Sequence, residues 1–173
     1  MKILLLSLIL GLVWATEPQP DQDASQISGD WNTLYVASTN PEKTSENGTL
    51  KPYLRSITFE NGKSKIIFTF FIKVNGKCRA SSAEGRKIAP NVYEIDYSGK
   101  NEFHIDHVSK NSMIVYDINV DEEGKKSIIT AINGKGKKAE EQDFMKFKEL
   151  TRKKGIPEEN IVNVIETDDC PTQ

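Results

Sequence analysis

The chain has 173 residues, 37% of them hydrophobic, which is enough for one domain with a sizeable core. Its formal net charge of −2 at pH 7 argues against a nucleic-acid partner. The one strongly apolar stretch is at the N-terminus, so no later segment is expected to span a membrane.

The first fifteen residues are typical of a cleaved secretory signal peptide. Lys2 gives a positive start, residues 3–13 are almost wholly apolar, and residues 13–15 end in a small-x-small cleavage pattern. The apolar run is shorter than the ~20 residues of a spanning helix, so an uncleaved anchor is the weaker alternative. We predict cleavage after Ala15, a secreted extracellular protein without membrane insertion, and a single domain over residues 16–173.

Residues 16–27 are polar and predict a loose N-terminal arm, after which short β-rich runs alternate with turns. Two of the turns, Asn61-Gly62 and Asn75-Gly76, suit two-residue hairpins. The predicted strands are 32–39, 53–60, 64–74, 77–87, 91–98, 102–107, 112–120 and 126–132. Eight strands joined by tight turns predict an all-β, up-and-down antiparallel barrel over residues 28–134, large enough for one small ligand.

The hydrophobic period changes after the last predicted strand. Between residues 138 and 154, Phe144, Phe147 and Leu150 fall on one face of a helix, and a glycine and a proline follow. We predict one C-terminal α-helix over 138–154, packed outside the barrel, and then a short edge strand and tail over 160–173.

Two cysteines, Cys78 and Cys170, remain to be explained. In an oxidising compartment an isolated pair indicates a disulfide, and two free thiols are the alternative. Asn47 opens an Asn-Gly-Thr sequon and is a candidate glycosylation site, although such sequons often go unused.

Gly29 and Trp31 open the first strand, and Lys135 follows the eighth. Together with the signal peptide, eight strands, one helix and a late cysteine, this arrangement resembles a lipocalin. The resemblance implies that Lys135 stacks on Trp31 at the closed end of the barrel, with roughly 0.5–2 kcal/mol of cation–π stabilisation.

Longer segments resemble the mammalian odorant-binding proteins within that family, in particular the porcine-type form. They are Asn75-Gly76-Lys77-Cys78, residues 118–124 and residues 155–163, the last running on towards Cys170. This resemblance implies a Cys78–Cys170 bridge and a dry cavity for odorants, pheromones or fatty-acid-like molecules.

Strand alternation places one side chain in two inside the barrel. Anchored on the resemblance, the predicted ligand-binding residues are Val36, Leu50, Pro52, Leu54, Phe68, Phe70, Ile95, Tyr97, Asn101, Phe103, Val115, Asp117, Ile129, Ala131 and Asn133. Alternation alone does not distinguish a filled barrel from a hollow one, and the resemblance favours the hollow one.

Asp117 is the unexpected member of this set, because an unpaired carboxylate in an apolar wall must be paired, hydrated or protonated. If Phe103 pairs with Val115, Asn101 lies opposite Asp117. Tyr97, Asn101 and Asp117 would then form a polar spot that anchors a hydroxyl or carbonyl of the ligand. The alternative is that Asp117 lies in water near the barrel mouth.

We expect no catalytic residue, no metal and no cofactor. His104 and His107 are three residues apart on one strand, so the first should point out and the second in, and they cannot chelate together. No catalytic sequence motif is present. The predicted partner is a small hydrophobic ligand; the alternative function is signalling, with an olfactory or vomeronasal receptor as partner. We expect a monomer or weak dimer.

Overall fold

Ten strands form one antiparallel sheet in the computed structural model, which describes residues 20–172. The predicted signal peptide and its cleavage site lie outside the described residues. The strands are β1 (Gly29–Asp30), β2 (Asn32–Ser38), β3 (Tyr53–Glu60), β4 (Lys65–Val74), β5 (Lys77–Ala89), β6 (Val92–Asp96), β7 (Lys100–Val108), β8 (Ser112–Val120), β9 (Lys126–Gly134) and β10 (Val162–Asn163). The α-helices are α1 (Ala24–Ile27) and α2 (Glu141–Lys153). Neither they nor any other described helix is long and apolar enough to cross a membrane.

The sheet curls into a barrel because β1 and β2 are two halves of one bent strand. β1 pairs with β3, with Gly29 opposite Ile57, whereas β2 pairs with β9, with Val36 opposite Ala131. The predicted eight-strand meander with one outer helix is therefore confirmed. The count of ten arises because the first strand is split and because the two-residue β10 adds to β2.

The described end of the predicted loose arm contains a short helix. Residues 24–27 form α1, which Asp23 caps by accepting a hydrogen bond from the backbone of Ser25. Ile27 is buried, and its carbonyl accepts a 2.7 Å hydrogen bond from the indole Nε1 of Trp31. The buried indole thus fixes the end of the arm, a long-range effect that local polarity does not reveal.

Helix α2 packs on the outside of the barrel, as predicted, although it begins three residues later and ends one residue earlier. Phe147 and Leu150 pack against Leu34, Ile114 and Ile132, whose side chains face out of the sheet. The outward face of the sheet is therefore apolar where the helix covers it, which explains why β2, β8 and β9 are apolar on both faces.

His107 faces this helix rather than the barrel interior, so the predicted inward orientation is wrong. The pairing of β7 with β8 shifts between Ile105 and His107, and such a bulge reverses which face the following side chains occupy. The His107 Nε2 lies 3.7 Å from the carboxylate of Asp143 on α2.

One end of the barrel is closed by Trp31, which is 1% exposed. The Nζ of Lys135 lies 3.8 Å from the centre of the indole and donates a hydrogen bond to the carbonyl of Asp30. Gly29 allows this approach, because it adopts a φ of +129° and a Cβ there would lie 3.3 Å from the same Nζ. The contact that the resemblance implied is present in the structure.

The C-terminal tail is held to the barrel wall by covalent and ionic contacts. Cys78 and Cys170 form a disulfide that joins residues 92 positions apart, which confirms the predicted bridge. Arg55 donates to both carboxylate oxygens of Asp168, at 2.8 and 2.7 Å. These contacts fix the tail across β3, β4 and β5.

We predict that replacing both cysteines by serine lowers the free energy of unfolding by about 2–4 kcal/mol, because the bridge no longer restricts the unfolded chain. Urea unfolding of the double variant measures the loss. The wild type kept in reductant is the control and should unfold at the same urea concentration as the variant. A double variant as stable as the oxidised wild type would contradict the prediction.

Candidate functional site

A cavity of about 140 Å³ lies inside the barrel, and nineteen residues form its wall. All fifteen residues that we predicted from strand alternation and the resemblance border it. The remaining four wall residues are Thr33, Thr49, Ala83 and Met113. Whether the predicted residues contact a ligand remains a prediction; that they surround one cavity is a structural observation.

Two of the four missed residues could have been found from the sequence. Ala83 lies opposite Phe68 on the neighbouring strand, and Met113 lies two residues before Val115, so each follows the alternation of a predicted neighbour. Thr33 was missed because the register of β2 shifts between Thr33 and Tyr35, which reverses the alternation at that point. Thr49 belongs to a loop, where alternation gives no information.

Aromatic side chains fix much of the wall through edge-to-face contacts. The rings of Phe68 and Phe103 lie 5.1 Å apart with planes 69° apart, and those of Phe70 and Tyr97 lie 5.3 Å apart at 86°. Such contacts are favourable for the ring quadrupoles and hold each ring in one orientation. The apolar interior is therefore bounded by aromatic side chains whose orientations are fixed by their contacts with one another.

The end of the cavity opposite Trp31 lies beneath the loop between β2 and β3. Thr49, in this loop, is the only wall residue that is exposed, and its hydroxyl accepts a 2.9 Å hydrogen bond from Ser98 in the β6–β7 turn. Lys43 of the same loop forms a 2.8 Å ion pair with Asp121, after β8. We therefore place the opening beside Thr49, under a loop that is tied to two neighbouring turns. Asn47 is also exposed on this loop, and its glycosylation stays a prediction.

Asn101 does not pair with Asp117 as the predicted register required. Phe103 lies opposite Asp117, and Asn101 lies opposite Asn119, two residues further along β8. The amide of Asn101 donates to the carbonyls of Ile95 and Tyr97 and accepts from Asn119. Its hydrogen bonds close the β6–β7 turn, because the backbone there leaves two carbonyls to be satisfied. The predicted three-residue polar spot is therefore not assembled.

Asp117 lies on the cavity wall and not in water at the mouth. Its Oδ1 is buried and has no hydrogen-bond partner among the described residues. Burial raises the pKa of Asp117 from its ordinary value of 3.8 to about 8, and the nearby negative charge of Glu102 adds to the effect. At neutral pH the side chain is mostly a neutral carboxyl group, which can donate a hydrogen bond.

The histidines do not form a metal site. His104 stacks on Tyr116 on the outer face of the sheet, with ring centres 4.2 Å apart, and His107 lies against α2. Within residues 20–172, one group has ligand atoms close enough for a metal, namely Cys78, Asp169 and Cys170. Its two sulfurs are joined in the disulfide and are not thiolates.

The raised pKa of Asp117 predicts how stability changes with pH. The native state keeps this proton up to about pH 8, whereas the unfolded chain loses it near 3.8, so stability falls as pH rises between these values and stays low above them. Replacing Asp117 by Asn should raise the free energy of unfolding by about 1–3 kcal/mol at pH 9 and change it little at pH 4.5. Urea unfolding at the two pH values measures the difference, and an equal effect at both would show that Asp117 ionises normally.

A protein family and several known proteins are similar in sequence to most of this chain. Residues 28–168 match the lipocalin / cytosolic fatty-acid binding protein family. An odorant-binding protein of Bos taurus is 37% identical over 157 residues, covering 91% of this chain and 98% of the relative. A female-specific lacrimal gland protein of Mesocricetus auratus is 34% identical over 169 residues, covering 98% of each.

Among solved structures, a dog lipocalin allergen superposes with a TM-score of 0.82 at 41% identity. The match covers 85% of this chain and 99% of the allergen. The family match over residues 28–168 spans the barrel and the outer helix.

Proposed function

The chain belongs to the lipocalin family, and from this premise we propose that it is a secreted carrier that holds one small hydrophobic molecule inside its barrel. The observation that supports the proposal most directly is the cavity of about 140 Å³ with its largely apolar wall. An apolar cavity of about this size stays dry and can take up a molecule the size of benzene. The bovine relative bears the name odorant-binding protein, which agrees with a ligand of this kind.

The size of the cavity favours small volatile molecules over long fatty acids. Binding would follow the apolar area removed from water, at about 25 cal/mol per Å². A missing methylene changes affinity by only ~1–3 kcal/mol, so we expect broad selectivity among apolar ligands. We expect micromolar dissociation constants, which correspond to about −8 kcal/mol.

Secretion is supported by the predicted signal peptide and by the disulfide, since disulfides persist in oxidising compartments. The names of a lacrimal gland protein and an odorant-binding protein among the relatives agree with an extracellular role. We propose a monomer or weak dimer, because the disulfide ties the C-terminal tail to its own barrel.

We propose that the protein is a carrier rather than an enzyme. The wall residues that titrate are Asp117 and Tyr97, and burial raises the pKa of both. No cysteine, histidine or lysine lies beside them in the wall formed by the described residues, so an acid–base pair or an activated nucleophile is not assembled there.

A signalling role is the second candidate, and the female-specific lacrimal gland protein among the relatives agrees with it. An olfactory or vomeronasal receptor would then recognise the protein or its bound pheromone. Receptor activation by protein freed of ligand would favour this role, whereas activation only by extracted ligand would favour the carrier.

Displacement of a fluorescent apolar dye by a panel of odorants and fatty acids tests the carrier proposal. We expect Ala83→Phe to weaken dye binding at least tenfold, because the new ring fills the cavity. Ser82→Phe is the matched control, since this exposed neighbour points out of the barrel, and it should bind like the wild type.

Ala131→Phe fills the cavity from β9. If both variants lose dye binding, a folding defect at position 83 alone does not explain the loss. Circular dichroism and thermal unfolding should show that each variant is folded. Equal dye affinity in the wild type and in folded variants at positions 83 and 131 would show that binding takes place elsewhere.

A further inference from the structure

We propose, resting on the carrier function above, that Asp117 determines which apolar molecules are preferred. Its neutral carboxyl group donates a hydrogen bond to a ligand oxygen that can only accept, as in a ketone, aldehyde, ester or ether. The chemical class of ligand is thus a neutral, mostly apolar molecule with one acceptor oxygen.

The position of Asp117 is suited to this role. On β8 it lies between Phe103 of β7 and Ile129 of β9, and all three side chains border the cavity. The Oδ1 atom is enclosed in the wall without a partner, whereas the side chain as a whole is only half-buried, so the oxygen that can reach the cavity is Oδ2. A ligand oxygen in the cavity can satisfy the carboxyl group, whereas a pure hydrocarbon cannot.

Other polar groups of the wall are less available. Asn101 uses its amide to close the β6–β7 turn, and the hydroxyl of Thr33 accepts a 3.1 Å hydrogen bond from the backbone of Leu54. Thr49 is tied to Ser98 at the opening. Asn133, on β9, lies opposite Met113, four residues along β9 from Ile129, which is the partner of Asp117. Among the wall residues, Asp117 is the one with a fully buried oxygen that lacks a partner; the hydroxyl of Tyr97 also borders the cavity.

Burial keeps Asp117 protonated at neutral pH, and no nearby cation opposes this effect. On β7, Glu102 and His104 lie on the outer face of the sheet. On β9, Ile129 lies beside Asp117, and Lys126 lies at the far end of the strand. The side chains of α2 pack on the outer face. Across the cavity the other titratable wall residue is Tyr97, and no lysine, arginine or histidine belongs to the wall within the described residues. Since no cation stabilises the carboxylate, burial raises the pKa of Asp117 to about 8.

This charge state sets the preferred ligands and their pH dependence. A fatty-acid anion would bring a negative charge into an apolar wall without a cation, so it should bind poorly near and above pH 8. A ketone should bind well below about pH 8 and lose its hydrogen bond above it, because the carboxylate has no proton to donate.

Two probes of the same shape test the inference, 2-octanone and 2-methyl-1-octene, which differ only in that a carbonyl oxygen replaces a methylene group. Their affinities are measured by dye displacement at pH 6 and pH 9.5, with the dissociation constant of the dye determined at each pH. The quantity compared is the ratio of ketone affinity to alkene affinity, so that general changes in the cavity cancel.

In the wild type we expect this ratio to be about 3- to 10-fold higher at pH 6 than at pH 9.5, the worth of one neutral hydrogen bond. In Asp117→Asn the ratio should stay high at both pH values, because the amide donates at any pH. In Asp117→Leu it should be low at both. Tyr97→Phe removes the other titratable group of the wall; its affinities for both probes can change, but its ratio should keep the pH dependence of the wild type.

Infrared spectroscopy gives a second readout that does not depend on affinity. The carbonyl stretch of bound 2-octanone should lie at lower frequency in the wild type at pH 6 than in Asp117→Leu, because a hydrogen bond weakens the C=O bond.

Three results would overturn the inference: a wild-type ratio that does not change with pH, an Asp117→Leu ratio equal to that of the wild type, or an octylamine affinity above that of 2-octanone at pH 6. The last would mean that Asp117 binds cations as a carboxylate. If neither probe binds the wild type at pH 6, the carrier function itself is wrong, and the inference fails with it.

Discussion

The bend of the first strand at Trp31 is the constraint on which the rest of the structure depends. Because β1 pairs with β3 and β2 pairs with β9, one strand joins both edges of the meander, and the sheet acquires an inside and an outside. The buried indole at the bend, hydrogen-bonded to Ile27 and covered by Lys135, closes one end. Without this closure the alternating side chains would form an open apolar face, and the unpaired sheet edges would be exposed to aggregation.

Much of this architecture could be predicted from the sequence, because turn residues and two-residue alternation are local signals. The limits of β3 and β8 were predicted to the residue, and all fifteen predicted wall residues surround the cavity. The features that could not be predicted depend on the register of strand pairing. The shift after Thr33 and the shift after Ile105 each reverse the alternation, so Thr33 was missed and His107 was placed inside. A bulge is decided by cross-strand packing, which a single strand does not encode.

The same limit applies to the polar part of the site. The sequence identified Asp117 as an unusual inward carboxylate, but it could not place Asn101, which the register moves opposite Asn119 and into the β6–β7 turn. Because Asn101 is engaged in this turn, its amide does not assist Asp117 in contacting a ligand. A lone protonated carboxyl can donate one hydrogen bond, and the remaining wall supplies mainly apolar area, so shape and one acceptor oxygen together would determine selectivity.

A hollow barrel should admit small apolar molecules. Diffraction from a crystal of the protein held under xenon pressure tests this most directly, because xenon occupies apolar cavities and scatters strongly. We expect xenon density inside the barrel, bounded by Phe68, Phe103 and Val115. Xenon found only at the surface, with side chains filling the interior, would contradict it.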